Sequence, residues 1–97
     1  MSPAERQCIE NLARTVSHFC NERAVSDSEG WQVRMPLRPD VLPETTLNLS
    51  ISPHWLRLRF DIADSEARSQ VARHSDELAR MLETSLVRVR EISITFE

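Results

Sequence analysis

A two-layer α+β sandwich, with a four-stranded mixed sheet and two helices in the order helix–strand–strand–strand–helix–strand, is the fold this 97-residue sequence predicts. Three observations carry it. The segment Trp55–Ile62 sets Leu56, Leu58, Phe60 and Ile62 on one face and Arg57, Arg59 and Asp61 on the other, the alternation of a half-buried strand. Two flanking stretches repeat apolar residues at helical spacing. The length suits one core and is too short for two. Residues 1–97 therefore read as a single domain, with an N-terminal helix over 1–24 and a core over 31–97.

Taken in order, Ser2-Pro3-Ala4-Glu5 reads as a helix start: a serine cap, proline at the first helical position and glutamate three residues after the cap. Ile9, Leu12, Ala13, Val16, Phe19 and Cys20 form its apolar face, and the helix should fade near Arg23. Gly30, the chain's single glycine, marks a joint. Trp31, Val33, Met35 and Leu37 alternate with polar residues and proline, predicting a first strand with all four inward. Pro36 cannot donate to a ladder, so this strand belongs at an edge. Pro39 and Pro43 predict an extended, low-entropy connector.

The second strand is expected over Thr46–Ser52. A short Ser52-Pro53-His54 turn makes Trp55–Ile62 its antiparallel partner. One long helix then follows from a cap at Asp64 or Ser65, with Ala67, Val71, Leu78, Met81 and Leu82 on its apolar face. The last strand turns Ile92, Ile94 and Phe96 inward. A helical crossover makes it parallel to the third strand. The polar sheet face should carry Gln32, Arg34, Asn48, Ser50, Ser52, Arg57, Arg59, Ser93 and Thr95, an open surface on which a partner could dock. Phe60 should sit at the core's centre.

Composition excludes more than it assigns. The net charge is −3, and all 12 basic residues are arginine, so no general attraction to nucleic acid or an acidic membrane is expected. A single glycine rules out a glycine-rich phosphate cradle. His18, His54 and His74 form no HExxH, and no CxxC is present. His18 and Cys20, two apart on a helix, point away from one another. No serine sits in a strand-to-helix nucleophile turn. Neither enzymatic activity nor a cofactor is expected.

Cys8 and Cys20 lie on one helix, roughly 18 Å apart along its axis, too far to pair, which predicts two free thiols. No apolar run approaches the roughly 20 residues a bilayer requires, and no signal peptide opens the chain. The chain is therefore expected to start out in the cytoplasm, or to be a fragment whose targeting information lies elsewhere.

Trp55 starts on the polar face beside Arg57. It either packs over the hairpin turn against Pro53 or stands exposed as an anchor for a protein partner. Arg57 and Arg59 are either a solvated strand face or part of that contact. Leu37, Pro39, Leu42 and Pro43 either stitch two strands together or present rigid backbone for recognition.

One pattern goes further. Leu37-x-Pro39-x-x-Leu42-Pro43-x-Thr45-x-Leu47, then Leu56-x-Leu58-x-Phe60, then a helix with spaced leucines and a final strand, resembles the C-terminal substrate-specificity-switch domain of type III secretion needle-length regulators. These are relatives of the flagellar hook-length control protein. The resemblance covers about Trp31–Phe96. It departs where the flagellar version tends to place glycine after the connector leucine and this chain has Pro43, which favours the virulence-type branch. Family members usually carry a long N-terminal ruler, so the chain is expected to be an excised C-terminal domain or a short form.

The resemblance implies a non-enzymatic switch that contacts the cytoplasmic domain of the export-gate switch protein and turns secretion from early to late substrates. Needle or inner-rod subunits are further candidate partners, and the parent protein could itself be secreted. The family-like connector and the polar strand face together give the candidate partner-binding residues Leu37, Pro39, Leu42, Pro43, Trp55, Arg57 and Arg59. No nucleic acid or membrane insertion is expected, and the chain should be monomeric. The competing reading is a small acidic type III secretion chaperone, which would be an obligate dimer. A nucleic-acid module built on Arg34, Arg57, Arg59, Arg88 and Arg90 would need more exposed aromatics than Trp55 offers.

Overall fold

Ser2 caps the first helix as predicted, its hydroxyl accepting from the Glu5 amide at 3.2 Å, with Pro3 as the first residue of helix α1, Pro3–Cys20. The computed structural model describes residues 2–88 and 90–97; Met1, included in the expected N-terminal segment, lies outside them. After α1 comes a single helical turn, α2 (Arg23–Ser26), then strands β1 (Trp31–Pro36), β2 (Thr45–Ile51) and β3 (Trp55–Ile62), helices α3 (Ser65–Arg73) and α4 (Ser75–Ser85), and strand β4 (Glu91–Phe96).

The four strands form one sheet in the order β1-β2-β3-β4. The β1–β2 and β2–β3 pairs are antiparallel and β3–β4 is parallel, so the α+β class and the mixed sheet stand as read. β1 is an edge strand, as Pro36 requires. The helices cover one face. Ile9, Leu12 and Val16 of α1, Val71 of α3 and Leu78 and Leu82 of α4 are fully buried with Leu47, Leu56, Leu58 and Phe60 of the sheet. Phe60 stacks on Phe96 at 5.7 Å between ring centroids. The radius of gyration, 12.6 Å, matches the roughly 12.5 Å of a compact chain this long, and α1 packs into the same core as residues 31–97.

Five expectations need correction. The long second helix is two helices, broken at His74, whose backbone (φ −113°, ψ 22°) leaves the helical region. Its ring bonds Glu5 of α1 at 2.7 Å, a tertiary contact that offsets the lost helical geometry. The connector is not extended: the amides of Val41 and Leu42 both donate to the Arg38 carbonyl, and Arg38 grips Asp40 with two bonds of 3.1 and 2.9 Å. Glu44 then takes a left-handed φ of 49°.

Trp31, expected in the core, is 41% exposed at the start of the edge strand. β1 ends at Pro36, so Leu37 belongs to the loop, and its amide closes the hairpin on the Thr45 carbonyl at 2.9 Å. Finally, β2 runs one residue earlier than expected, and Ser52 leaves the sheet face for the turn. There its hydroxyl accepts from the amides of His54 and Trp55, the local bonding that makes serine a turn residue.

Both thiols are free. Burial pushes the Cys20 thiol up to about 11 even though Arg90 pulls the other way, and burial also raises that of Cys8. A thiol so shifted is scarcely nucleophilic at neutral pH.

Candidate functional site

The sheet's second face is where side-chain chemistry collects. Strand alternation points the even residues of β1 and β2 and the odd residues of β3 and β4 away from the helices. The register then aligns them in rows. Arg34 lies opposite Asn48, Asn48 opposite Arg59, and Arg59 opposite Thr95. The next row runs Gln32, Ser50, Arg57, Ser93. Three arginines thus sit on two adjacent rows, Arg57 and Arg59 side by side on β3 and Arg34 across Asn48 from Arg59.

Between them lies a shallow trough of about 480 Å³, whose lining includes Gln32, Arg34, Asn48, Ser50, Arg57, Arg59 and Thr95 and no carboxylate. Among the described residues no ion pair involves Arg34 or Arg57. Arg59 has one loose partner, Glu97, at 3.9 Å. The Arg57 guanidinium lies over the Trp55 ring, 4.3 Å from its centroid, a cation–π contact that holds both side chains against the sheet. The arrangement offers fixed positive charge and hydrogen-bond donors.

The other suggested residues lie elsewhere. Leu42 is 2% exposed and belongs to the core, so it shapes the loop from beneath and presents no surface. Leu37 is half-buried, while Pro39 and Pro43 are exposed on the loop joining β1 to β2. That loop and the arginine trough are therefore two separate places, the first at the end of the hairpin and the second across the sheet. Trp55 is half-buried beneath Arg57, and Arg57 and Arg59 are exposed.

Two features escaped the sequence reading. One is Arg90, 5% exposed, whose Nε donates to the Ser52 carbonyl at 2.7 Å and whose Nη2 reaches the Ser26 carbonyl at 3.3 Å. Arginine ahead of a strand carries no signal of burial. The other is a groove at the end of the sheet where β1 and β3 begin, with Trp31 and Trp55 among its lining residues. The β1–β2 register, which places Trp31 opposite Ile51, was the signal that could have found it. Among the described residues no helix is long and apolar enough to cross a membrane.

The family model described as type III secretion protein (HpaP) matches residues 8–97. The chain belongs to that family. It is also 40% identical, over 78 residues, to an "HRP-associated protein" of Ralstonia nicotianae (strain ATCC BAA-1114 / GMI1000), a match covering 79% of this chain. It spans 40% of that relative's length. No solved structure matches. The HpaP match takes in every strand, α2, α3, α4 and all of α1 beyond its first turn and a half, so the whole sheet face lies within the region that defines the family. The family relationship supports the coarser half of the earlier resemblance, a type III secretion protein.

Proposed function

We propose that this chain is the substrate-specificity-switch portion of a type III secretion regulator and that it works by docking, without catalysis. Its partner would be the cytoplasmic domain of the export-gate switch protein, and the outcome a change from early, needle-type subunits to late substrates. The observation that carries the reading is the open arginine trough on a chain of the HpaP family. A trough with three arginines and no carboxylate in its lining suits a transient, charge-selected protein contact. Rigid backbone beneath it keeps the ordering cost of such a contact low.

The test is the double substitution Arg57→Glu with Arg59→Glu in the parent secretion system. Both side chains are exposed, so folding stability should change by no more than about 0.5 kcal/mol for each. Reversing two charges at an interface can cost several kcal/mol, roughly a hundredfold or more in affinity. Early subunits should continue to be exported while late substrates fail to appear. Normal switching by a folded, expressed double variant would remove the arginine face from the mechanism.

A further inference from the structure

The two edges of the sheet differ in what they offer a further strand. Alternate residues of a strand turn both backbone groups towards the neighbouring strand, and the rest turn theirs away. The Leu37 amide bonds the Thr45 carbonyl, which with the β1–β2 register leaves Gln32, Arg34 and Pro36 facing outwards. Pro36 has no N–H to offer and Arg34 brings a charge, two of the devices that keep an edge from pairing. On β4 the amides of Glu91 and Glu97 bond the carbonyls of His54 and Phe60 at 3.0 and 2.9 Å. The backbone groups facing outwards there are therefore those of Ile92, Ile94 and Phe96. β4 contains no proline, lysine or arginine, and its register with β3 is continuous, without a bulge. It is the unguarded edge.

We propose that the β4 edge accepts an extended segment of a partner protein as a fifth strand, and that this segment alternates large apolar residues between two basic ends. The outward amides and carbonyls of Ile92, Ile94 and Phe96 supply a row of main-chain hydrogen bonds, the source of affinity in strand addition. Their side chains lie half-buried on the helix side, packed against the core. Residues of the incoming strand opposite them must be apolar to extend that layer. Glu91 and Glu97 are exposed at the two ends of the edge, and Glu97 faces Arg59 of the open side at 3.9 Å. They set carboxylates opposite the first and last positions of the added strand, where arginine or lysine gives an opposite-charge pair. The pattern recognised is basic–apolar–x–apolar–x–apolar–basic, which reads the same in either strand direction. A basic segment is also favoured by the chain's net charge of −3. The same carboxylates disfavour a second copy of this chain. Antiparallel pairing about Ile94 would set Glu91 of each copy against Glu97 of the other, two like-charge pairs. The contact is additional to the arginine trough and does not rest on it.

The experiment is selection of a phage-displayed random dodecapeptide library on the 97-residue chain, followed by amide hydrogen exchange and calorimetric titration with a selected peptide. Enriched sequences should show the alternating apolar pattern with arginine or lysine at its ends. Bound peptide should slow exchange about tenfold or more at the amides of Ile92, Ile94 and Phe96 and leave those of Gln32 and Arg34 unchanged. Glu91→Arg with Glu97→Arg, checked to unfold at the same urea midpoint as the parent, should weaken binding about tenfold or more. Arg57→Glu should bind the peptide at least as tightly as the parent. Absence of enrichment over the Glu91→Arg, Glu97→Arg variant would overturn the proposal. So would protection at the β1 amides, selected peptides without basic ends, or unchanged affinity for that variant. Loss of binding in Arg57→Glu would move the peptide to the trough and overturn it too. Protection of the three β4 amides that rises with protein concentration and needs no peptide would give the edge to a second copy, again overturning the proposal.

Discussion

Arg90 joins three parts of the chain that are distant in sequence. Its Nε and Nη2 take the carbonyls of Ser52 and Ser26, and Arg88 Nη1 reaches the same Ser26 carbonyl at 2.9 Å. The end of α2, the β2–β3 turn and the start of β4 are thereby tied to one guanidinium. Burial lowers its pKa, and the neighbouring Arg88 charge adds to the shift. Nη1 has no hydrogen-bond partner among the described residues, so the group is held by two of its three nitrogens. Arg90→Lys keeps the charge but cannot span both carbonyls. A loss of about 2 kcal/mol in urea unfolding is expected, the worth of one charge-assisted bond. A loss under about 0.5 kcal/mol would place this contact among ordinary surface interactions. At the same scale, the alternation that assigned Arg57 and Arg59 to the open face was legible because strand geometry alone dictates it. Trp31 was not, because alternation names a face and says nothing about whether a helix covers that end of it.

The break between α3 and α4 belongs to the scale of elements. Ala67, Val71, Leu78 and Leu82 keep a spacing of four and seven residues, which fits an unbroken helix, so the apolar pattern conceals the interruption at His74. What occupies the break is a cluster with the start of α1. Glu5 Oε2 lies 2.7 Å from His74 Nε2 and 3.2 Å from Arg73 Nη2, and its other oxygen accepts from Ser2 at 3.0 Å. The bond to His74 first, then the Ser2 hydroxyl and the Arg73 charge, bring the Glu5 carboxyl from 4.5 to about 2.

A depressed carboxyl contributes stability that is complete above its unfolded value and is lost as pH falls towards the folded one. Stability should therefore decline between about pH 4.5 and pH 2 through this group. Glu5→Gln should flatten that part of the profile, read by urea unfolding at a series of pH values. An unchanged slope in the variant would assign the acid sensitivity to other carboxylates. The connector is a second case of packing overriding a local signal. Its prolines favour extended backbone, yet burial of Leu42 and the Arg38–Asp40 pair fold it into a tight loop.

For the whole molecule, the question is whether the chain stands alone. The large hydrophobic side chains exposed among the described residues are Trp31 and Val87. A stable dimer needs about 800 Å² of each partner, with an apolar centre, and two scattered residues do not supply one. Light scattering on the 97-residue chain should give the monomer mass, 11.2 kDa, from micromolar to millimolar concentration. A stable dimer would favour the chaperone reading and place the half-buried Ile92, Ile94 and Phe96 of β4 at the interface.

The sequence by itself determined the class of the fold, the number and direction of the strands, the cap at Ser2 and, Ser52 apart, the polar residues assigned to the open sheet face. Each follows from local rules: side-chain period, proline chemistry and the length of a crossover. It also carried enough of the connector and strand pattern to suggest a type III secretion protein. Tertiary structure alone decided where the open face acquires a groove, which connector leucine is buried, where the second helix breaks and which arginine is locked inside. Those outcomes depend on contacts between residues far apart in the chain, such as Glu5 with His74 and Arg90 with Ser26 and Ser52. A one-dimensional pattern records what each segment prefers, and only packing reveals which preference is overruled.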